Sequence, residues 1–162
     1  MLFQDNLKID SHVQYIVSQC AKRMYLLKLL QHQCMPLNKL RVIVYSLIVS
    51  RIRYALPAWG GFVSAELNCK IGAMLKRLKR YGYTKDNLTL SDLLDEADYD
   101  LFSSMCLRHH CLHHVLPPRR MVDNLRVRGH LYNLPECSTN VHKKSFVVRS
   151  LYDFTYNVLY NY

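Results

Sequence analysis

Between residues 106 and 114 the chain carries Cys106, His109, His110, Cys111, His113 and His114, six side chains that can ligate a metal. Zinc takes Cys and His in tetrahedral sets. On a helix, Cys106, His110 and either His113 or His114 would share a face. Cys106, His110, Cys111 and His114 are therefore the candidate zinc ligands, and His130, Cys137 and His142 could complete a site. The usual finger spacing is absent, and no matching Cys or His pair follows at finger distance. The favoured reading is a Cys and His layer filling a helix interface beside Met105 and Leu112, with no metal and no cofactor.

Paired carboxylates are plentiful only from Asp86 to Asp100. They are expected at a helix start and along its exposed face, where acids are favoured in any case. No Asp-Asp doublet follows a strand-like run, so a two-metal polymerase centre is missing. The His-x-Asp start of an iron triad, the Gly-rich dinucleotide and phosphate loops, and the nucleophile elbow are missing as well. The chain by itself is not expected to be an enzyme.

Charge is the stronger signal. Residues 1–81 hold thirteen Lys or Arg against Asp5, Asp10 and Glu66, a net +10, whereas residues 82–162 balance nine against nine. The front half has the footprint of a surface that meets a polyanion, although solvated helix faces account for such charge equally well. If six of the twelve cations between residues 22 and 80 met phosphates, log affinity would fall against log salt with a slope of about −5. The densest cluster is Lys70, Lys76, Arg77, Lys79 and Arg80, with Arg51 and Arg53 upstream. Cations near a helix C-terminus also suit its dipole, so part of this clustering is structural.

The elements that must position these groups are helical. Half the residues are hydrophobic and a fifth charged, with five Gly and five Pro in 162, which speaks against disorder and against a turn-dense β fold. Val13, Ile16, Val17, Cys20, Met24, Leu27 and Leu30 repeat at helical spacing over 11–34, capped by Asp10 or Ser11 and stopped by Pro36. Leu40, Ile43, Val44, Leu47, Ile48 and Ile52 mark a second helix from Asn38 to Tyr54; its run Val42, Ile43, Val44 would also suit a strand. A tight connection follows at Leu56 to Phe62. There Pro57 should push Leu56 out of the helical region, and Gly60 and Gly61 should permit unusual backbone angles. Trp59 is read as its packing anchor rather than as a platform for a base. Ser64 should cap a third helix with Leu67, Ile71, Met74, Leu75 and Leu78 buried. Ser91 and Asp98 suggest a short helix and then a longer one ended by Pro117 and Pro118. Tyr152, Tyr156 and Tyr160 suggest a closing helix.

The expected fold is a mostly α small bundle of about four to six helices with a less regular tail. It divides into a basic region 1–84 and an acidic helix with a C-terminal extension, 85–162, packed as one unit. No apolar run approaches the roughly 20 residues of a membrane span. Asp5 and Asp10 do not suit a signal peptide, so an intracellular place, nuclear or cytoplasmic and not secreted, is expected. The six cysteines are expected to be free and buried.

Several stretches carry a resemblance. Asp10-Ser11-His12-Val13, Lys22-Arg23-Met24-Tyr25-Leu26-Leu27, Tyr45-Ser46-Leu47-Ile48, Tyr54-Ala55-Leu56-Pro57-Ala58-Trp59-Gly60-Gly61, Leu125-Arg126-Val127-Arg128-Gly129-His130 and Lys143-Lys144-Ser145-Phe146 occur in this order. Together they resemble the region after the palm in reverse transcriptases of LINE-type, jockey-like (non-LTR) retrotransposons. The resemblance implies a helical thumb with a C-terminal extension that grips RNA or DNA. It also implies that Lys70, Lys76, Arg77, Lys79 and Arg80 face the backbone, and that Trp59 is structural. The fingers, the palm and its metal-binding aspartates are not in this sequence, so the missing palm and fingers are implied partners and catalysis is not implied. Residues 11–57 also resemble the N-terminal segment of AlkB homologue 8, a tRNA-modifying enzyme, but without iron ligands or a methyl-donor loop. A helical protein-interaction module, meeting protein through residues 86–100 and the Tyr-rich tail, is the alternative.

Overall fold

The computed structural model describes residues 9–119 and 130–154. Its described residues are mostly helical, and their only β pairing is an isolated bridge between Arg119 and Tyr132. The chain divides into two compact units, Met1–Leu94 and Asp95–Tyr162. The expected boundary at residue 84 lies ten residues earlier. The start of the acidic helix belongs to the first unit because Leu90 and Leu93 are buried there and Leu94 packs beside Gly60.

In the first unit, α1 (Asp10–His32) buries Val13, Ile16, Cys20, Met24 and Leu27. Neither Asp10 nor Ser11 caps it through a side chain. It ends before Pro36 is reached, because Cys34 turns left-handed at φ 60°. The Cys34 N–H then donates to Gln31 O and the Met35 N–H to Leu30 O, the paired bonds that close a helix C-terminus.

The second helical stretch begins at Leu37, after extended Pro36, and comprises α2 (Leu37–Val44), a π-helical turn (Tyr45–Val49) and α3 (Ser50–Arg53). The expected stripe is redrawn here. Leu40, Val44, Ile48 and Ile52 are fully buried, Val49 joins them, and Leu47 is exposed. A step of four residues is longer than the α-helical repeat, and the wider π turn absorbs the difference. The Ser46 hydroxyl donates back to Val42 O at 2.9 Å, a bond that loosens the local helix. Arg23 of α1 donates to Leu47 O within the same turn.

The break before Trp59 differs from expectation. Leu56 opens a helical turn, α4 (Leu56–Trp59), with Pro57 in its first positions where the missing N–H costs nothing. Strain falls instead on Ala55, left-handed at φ 52°. Gly60 is right-handed, at φ −60° and ψ −37°, and among described glycines only Gly82 has a positive φ. What Gly60 leaves is space: a Cβ there would lie 2.6 Å from Leu94 Cδ1, and that leucine side chain would have to shift.

Ser64 caps α5 (Ala65–Arg80) by accepting the Leu67 N–H at 3.4 Å, and Leu67, Ile71, Met74, Leu75 and Leu78 are buried as expected. Gly82, at φ 75°, and the Tyr83 N–H to Leu78 O bond close this helix. Gly72 sits mid-helix, and a Cβ added there would meet nothing within 4 Å. Glycine in a helix interior costs about 1 kcal/mol relative to alanine, so Gly72→Ala is expected to raise stability by about 0.5–1 kcal/mol. A thermal melt checks this.

Four contacts give the order of the bundle. Arg51 lies over the Tyr15 ring while Arg23 reaches Leu47, so α2 and α3 run antiparallel to α1. His12 meets Trp59, and Lys28 meets Tyr81, so α5 returns parallel to α1. This is an up-down-up three-helix arrangement.

α6 (Leu90–Met105), which starts in the first unit and continues into the second, is one helix where two were expected. Thr89, not Ser91, caps it, its hydroxyl accepting the Asp92 N–H at 3.1 Å. It stops at Met105, well before Pro117. The Leu107 N–H turns back to Ser104 O, and His113 Nδ1 takes the Met105 carbonyl at 2.9 Å. A short 3-10 turn (His113–Val115), α7 (Asn140–Lys144) and α8 (Phe146–Asp153) follow. Phe102, Tyr132 and Leu151 form the core, flanked by Cys106, Leu116 and Phe146. Tyr152 is on α8, while Tyr156 and Tyr160 lie outside the described residues, as do Arg126 to Gly129.

Candidate nucleic-acid interface

The five basic residues of α5 are all exposed, yet they do not form one row. Successive residues turn about 100° around a helix. Lys70 and Arg77, seven apart, therefore share the flank that faces α1, together with Tyr81. Lys76 and Arg80 lie opposite the buried stripe, and Lys79 is on the other flank. Lys70 is also held by Glu66, with Nζ and Oε1 2.6 Å apart.

Between α1 and α5 runs an open groove of about 360 Å³. Lys28, Lys70 and Arg77 stand on its walls with Tyr25 and Tyr81, and the residues lining it include no acid. Its floor is apolar, built from Ala21, Met24, Ala73 and Met74. Tyr81 binds the two helices electrostatically. The Lys28 ammonium lies 4.7 Å and the Arg80 guanidinium 5.5 Å from its ring centroid. Hydrogen bonding from Arg80, then from Lys28, holds its phenol below the usual range.

Arg51 and Arg53 are not brought to this groove. Arg51 is half-buried, with its guanidinium 5.8 Å from the Tyr15 ring centroid. Tyr15 and Lys28 are thirteen residues apart on α1, about 20 Å at 1.5 Å per residue. The upstream arginines therefore serve the opposite end of the bundle. Conversely, Lys28, Tyr25 and Tyr81 join the face although their residue types and spacing do not mark them out in the sequence. The row Val17, Ala21, Met24, Lys28 carries the signal that could have found them, since it leads along α1 from the core edge to a cation.

Trp59 is fully buried, and its indole N–H donates to Tyr54 O at 3.0 Å. His12 meets it edge-on, with ring centroids 5.9 Å apart, and burial lowers the His12 pKa.

The Cys and His run does not share a helical face, because α6 ends at Met105 and residues 106–112 form turns. His110 Nδ1 accepts the Leu112 N–H, and His113 is engaged with Met105 O. His130 is buried, with Nδ1 accepting the Tyr132 N–H and Nε2 donating to Leu151 O at 2.6 Å. Cys137 is half-buried and His142 exposed. Among the described residues no group of three or more His, Cys, Asp or Glu could hold a metal ion. The six cysteines are free, but only Cys20 is buried; Cys34, Cys69 and Cys111 are exposed. Burial pushes the Cys20 thiol up to about 11.

The acidic stretch contains one exception to the exposed face expected of it. Asp98 is only 2% exposed and pairs with Arg149 through two bonds, Nε to Oδ2 at 2.6 Å and Nη2 to Oδ1 at 3.0 Å. Burial nonetheless raises the Asp98 pKa against the pull of Arg149, helped by Asp95 and Asp153. Among the described residues no single helix is long and apolar enough to cross a membrane. Compared with protein-family models, with curated proteins and with solved structures, the chain matches none.

Proposed function

We propose that this chain is a nucleic-acid-binding helical module, a thumb-like piece of a retrotransposon-type RNA-directed DNA polymerase, which grips an RNA or DNA backbone through its first unit. In this reading it performs no catalysis alone, and the reaction belongs to a palm and fingers outside these 162 residues. The observation that carries it is the α1–α5 face, where Lys28, Lys70 and Arg77 converge from two helices beside Lys76 and Arg80 with no acid lining the groove. Exposed Leu26 and Leu29 on α1, with Leu37 and Val42 on α2, supply apolar surface of the kind another domain would cover.

The test is a salt titration of binding to a fluorescent duplex. Each phosphate neutralised contributes about −0.9 to the slope of log affinity against log salt. The fourfold variant Lys76→Gln, Arg77→Gln, Lys79→Gln, Arg80→Gln is expected to flatten the slope by about 3, since not every side of α5 faces one backbone. A flat slope in the unmodified chain would sink the reading. Binding to protein that survives the fourfold change would favour an interaction module instead.

A further inference from the structure

We propose that the α1–α5 groove is a pocket for one unpaired nucleotide, so that the module prefers single-stranded RNA or DNA to duplex. The inference rests on the backbone-binding reading and adds the state of the strand. A surface that only follows phosphates needs cations and no cavity. Here the cations sit above a groove of about 360 Å³, within the roughly 300–1,000 Å³ range of small-ligand sites.

The floor is made by residues that a phosphate has no use for. Ala21 lines it from α1 and Ala73 from α5, both exposed, and their small side chains leave the space open. Met24 and Met74 are buried beneath it, and thioether side chains adapt to flat apolar and aromatic partners. Tyr25, 63% exposed, stands on one wall and Tyr81 on the other. A base laid against Ala21, Ala73 and Met74 gains apolar contact, and the exposed Tyr25 ring offers the face on which any base can stack. Its sugar and phosphate would then project to Lys28 and Arg77. Lys70, already paired with Glu66, contributes less. A base stacked and paired inside a duplex cannot enter, because it must first leave the stack.

The experiment compares a fluorescein-labelled oligothymidylate with a duplex of equal length, using the full chain. The single strand is expected to bind at least about tenfold more tightly, the lower range of what one stacked base is worth. The variant Ala21→Met, Ala73→Met fills the groove at two exposed helix positions with a residue of similar helix propensity, so folding is preserved. It should remove that preference, bringing the affinities for the two strands level. Lys28→Gln, by contrast, should weaken both. Equal affinities for the two strands, unaltered by filling the groove but with a steep salt slope, would overturn the pocket and leave backbone binding standing. A flat slope for both probes would overturn the two together.

Discussion

Arg149→Met is expected to cost about 3–5 kcal/mol of stability at neutral pH, the penalty for leaving a buried charge without its partner. Asp98 lies almost wholly out of solvent on α6 and Arg149 on α8, 51 residues away, and the bidentate pair ties α6 to α8. Methionine keeps much of the arginine stem's volume, so the loss is electrostatic rather than a cavity. It leaves Asp98 facing Asp95 and Asp153, which already push its carboxyl upward.

The pH dependence has a definite sign. The folded-state pKa of Asp98 is raised above its unfolded value. The stability linked to the protonated carboxyl is therefore fully present below the unfolded pKa, about 3.9, and is lost as pH rises through the folded one. Removing Arg149 raises the folded pKa further, so the deficit of Arg149→Met should be large at neutral pH and shrink as pH falls toward about 4. Adding Asp98→Asn should recover much of the loss, because a neutral amide carries no uncompensated charge. Urea unfolding at the two pH values measures this. A deficit of equal size at both would mean that Arg149 acts through packing alone.

The same pair marks the limit of what is legible in the chain. Helical spacing identifies Val13, Ile16, Val17, Cys20, Met24, Leu27 and Leu30 on α1, and Leu67, Ile71, Met74, Leu75 and Leu78 on α5; all are buried except Val17 and Leu30, which are half-buried. Those are local signals, carried by neighbours three and four residues away. Asp98 stands four residues from Leu94 and four from Phe102, a spacing that sets it apart from Asp95 and Asp100, but what lets a carboxylate sit inside is Arg149, 51 residues further on. Local rules fail likewise where helices end. Cys34 and Ala55 take left-handed angles that sequence assigns to glycine, and Gly60 supplies room rather than such an angle. The Cys and His run reads as helical because nothing in residues 106–112 breaks a helix, whereas His113 returning to the Met105 carbonyl stops α6 from outside.

The candidate interface is legible by half. The charge of α5 can be counted, and its buried and exposed sides follow from the repeat. That Lys28 joins Arg77 while Arg51 does not depends on the direction in which α1 and α5 lie side by side. The contacts His12–Trp59 and Lys28–Tyr81 set that direction, and no spacing within either helix contains it.

Trp59→Ala is expected to destabilise the first unit by about 3–5 kcal/mol, the usual cost of deleting a large buried aromatic. For a unit of this size each kcal/mol moves the midpoint by several degrees, about 4–8 °C, so the expected fall is tens of degrees. Two separate contributions are involved. The buried indole meets His12 edge-on at the point where the chain turns from α3 into α4. Its N–H also satisfies the carbonyl of Tyr54, beside left-handed Ala55, where no helical N–H is placed to do so. Trp59→Phe separates them. It keeps most of the apolar area and loses the donor, and a hydrogen bond of this kind contributes about 0.5–1.5 kcal/mol net. The phenylalanine variant should therefore recover half or more of the alanine loss. Recovery of all of it would show that the Tyr54 bond contributes nothing. Because α4 fixes where α5 starts, Trp59→Phe should also leave the α1–α5 groove in place, and its nucleic-acid affinity at low temperature should match that of the unmodified chain. An affinity lost along with the hydrogen bond would instead make the turn at Ala55, rather than the packing of α1 on α5, the feature that holds Lys28 and Arg77 together.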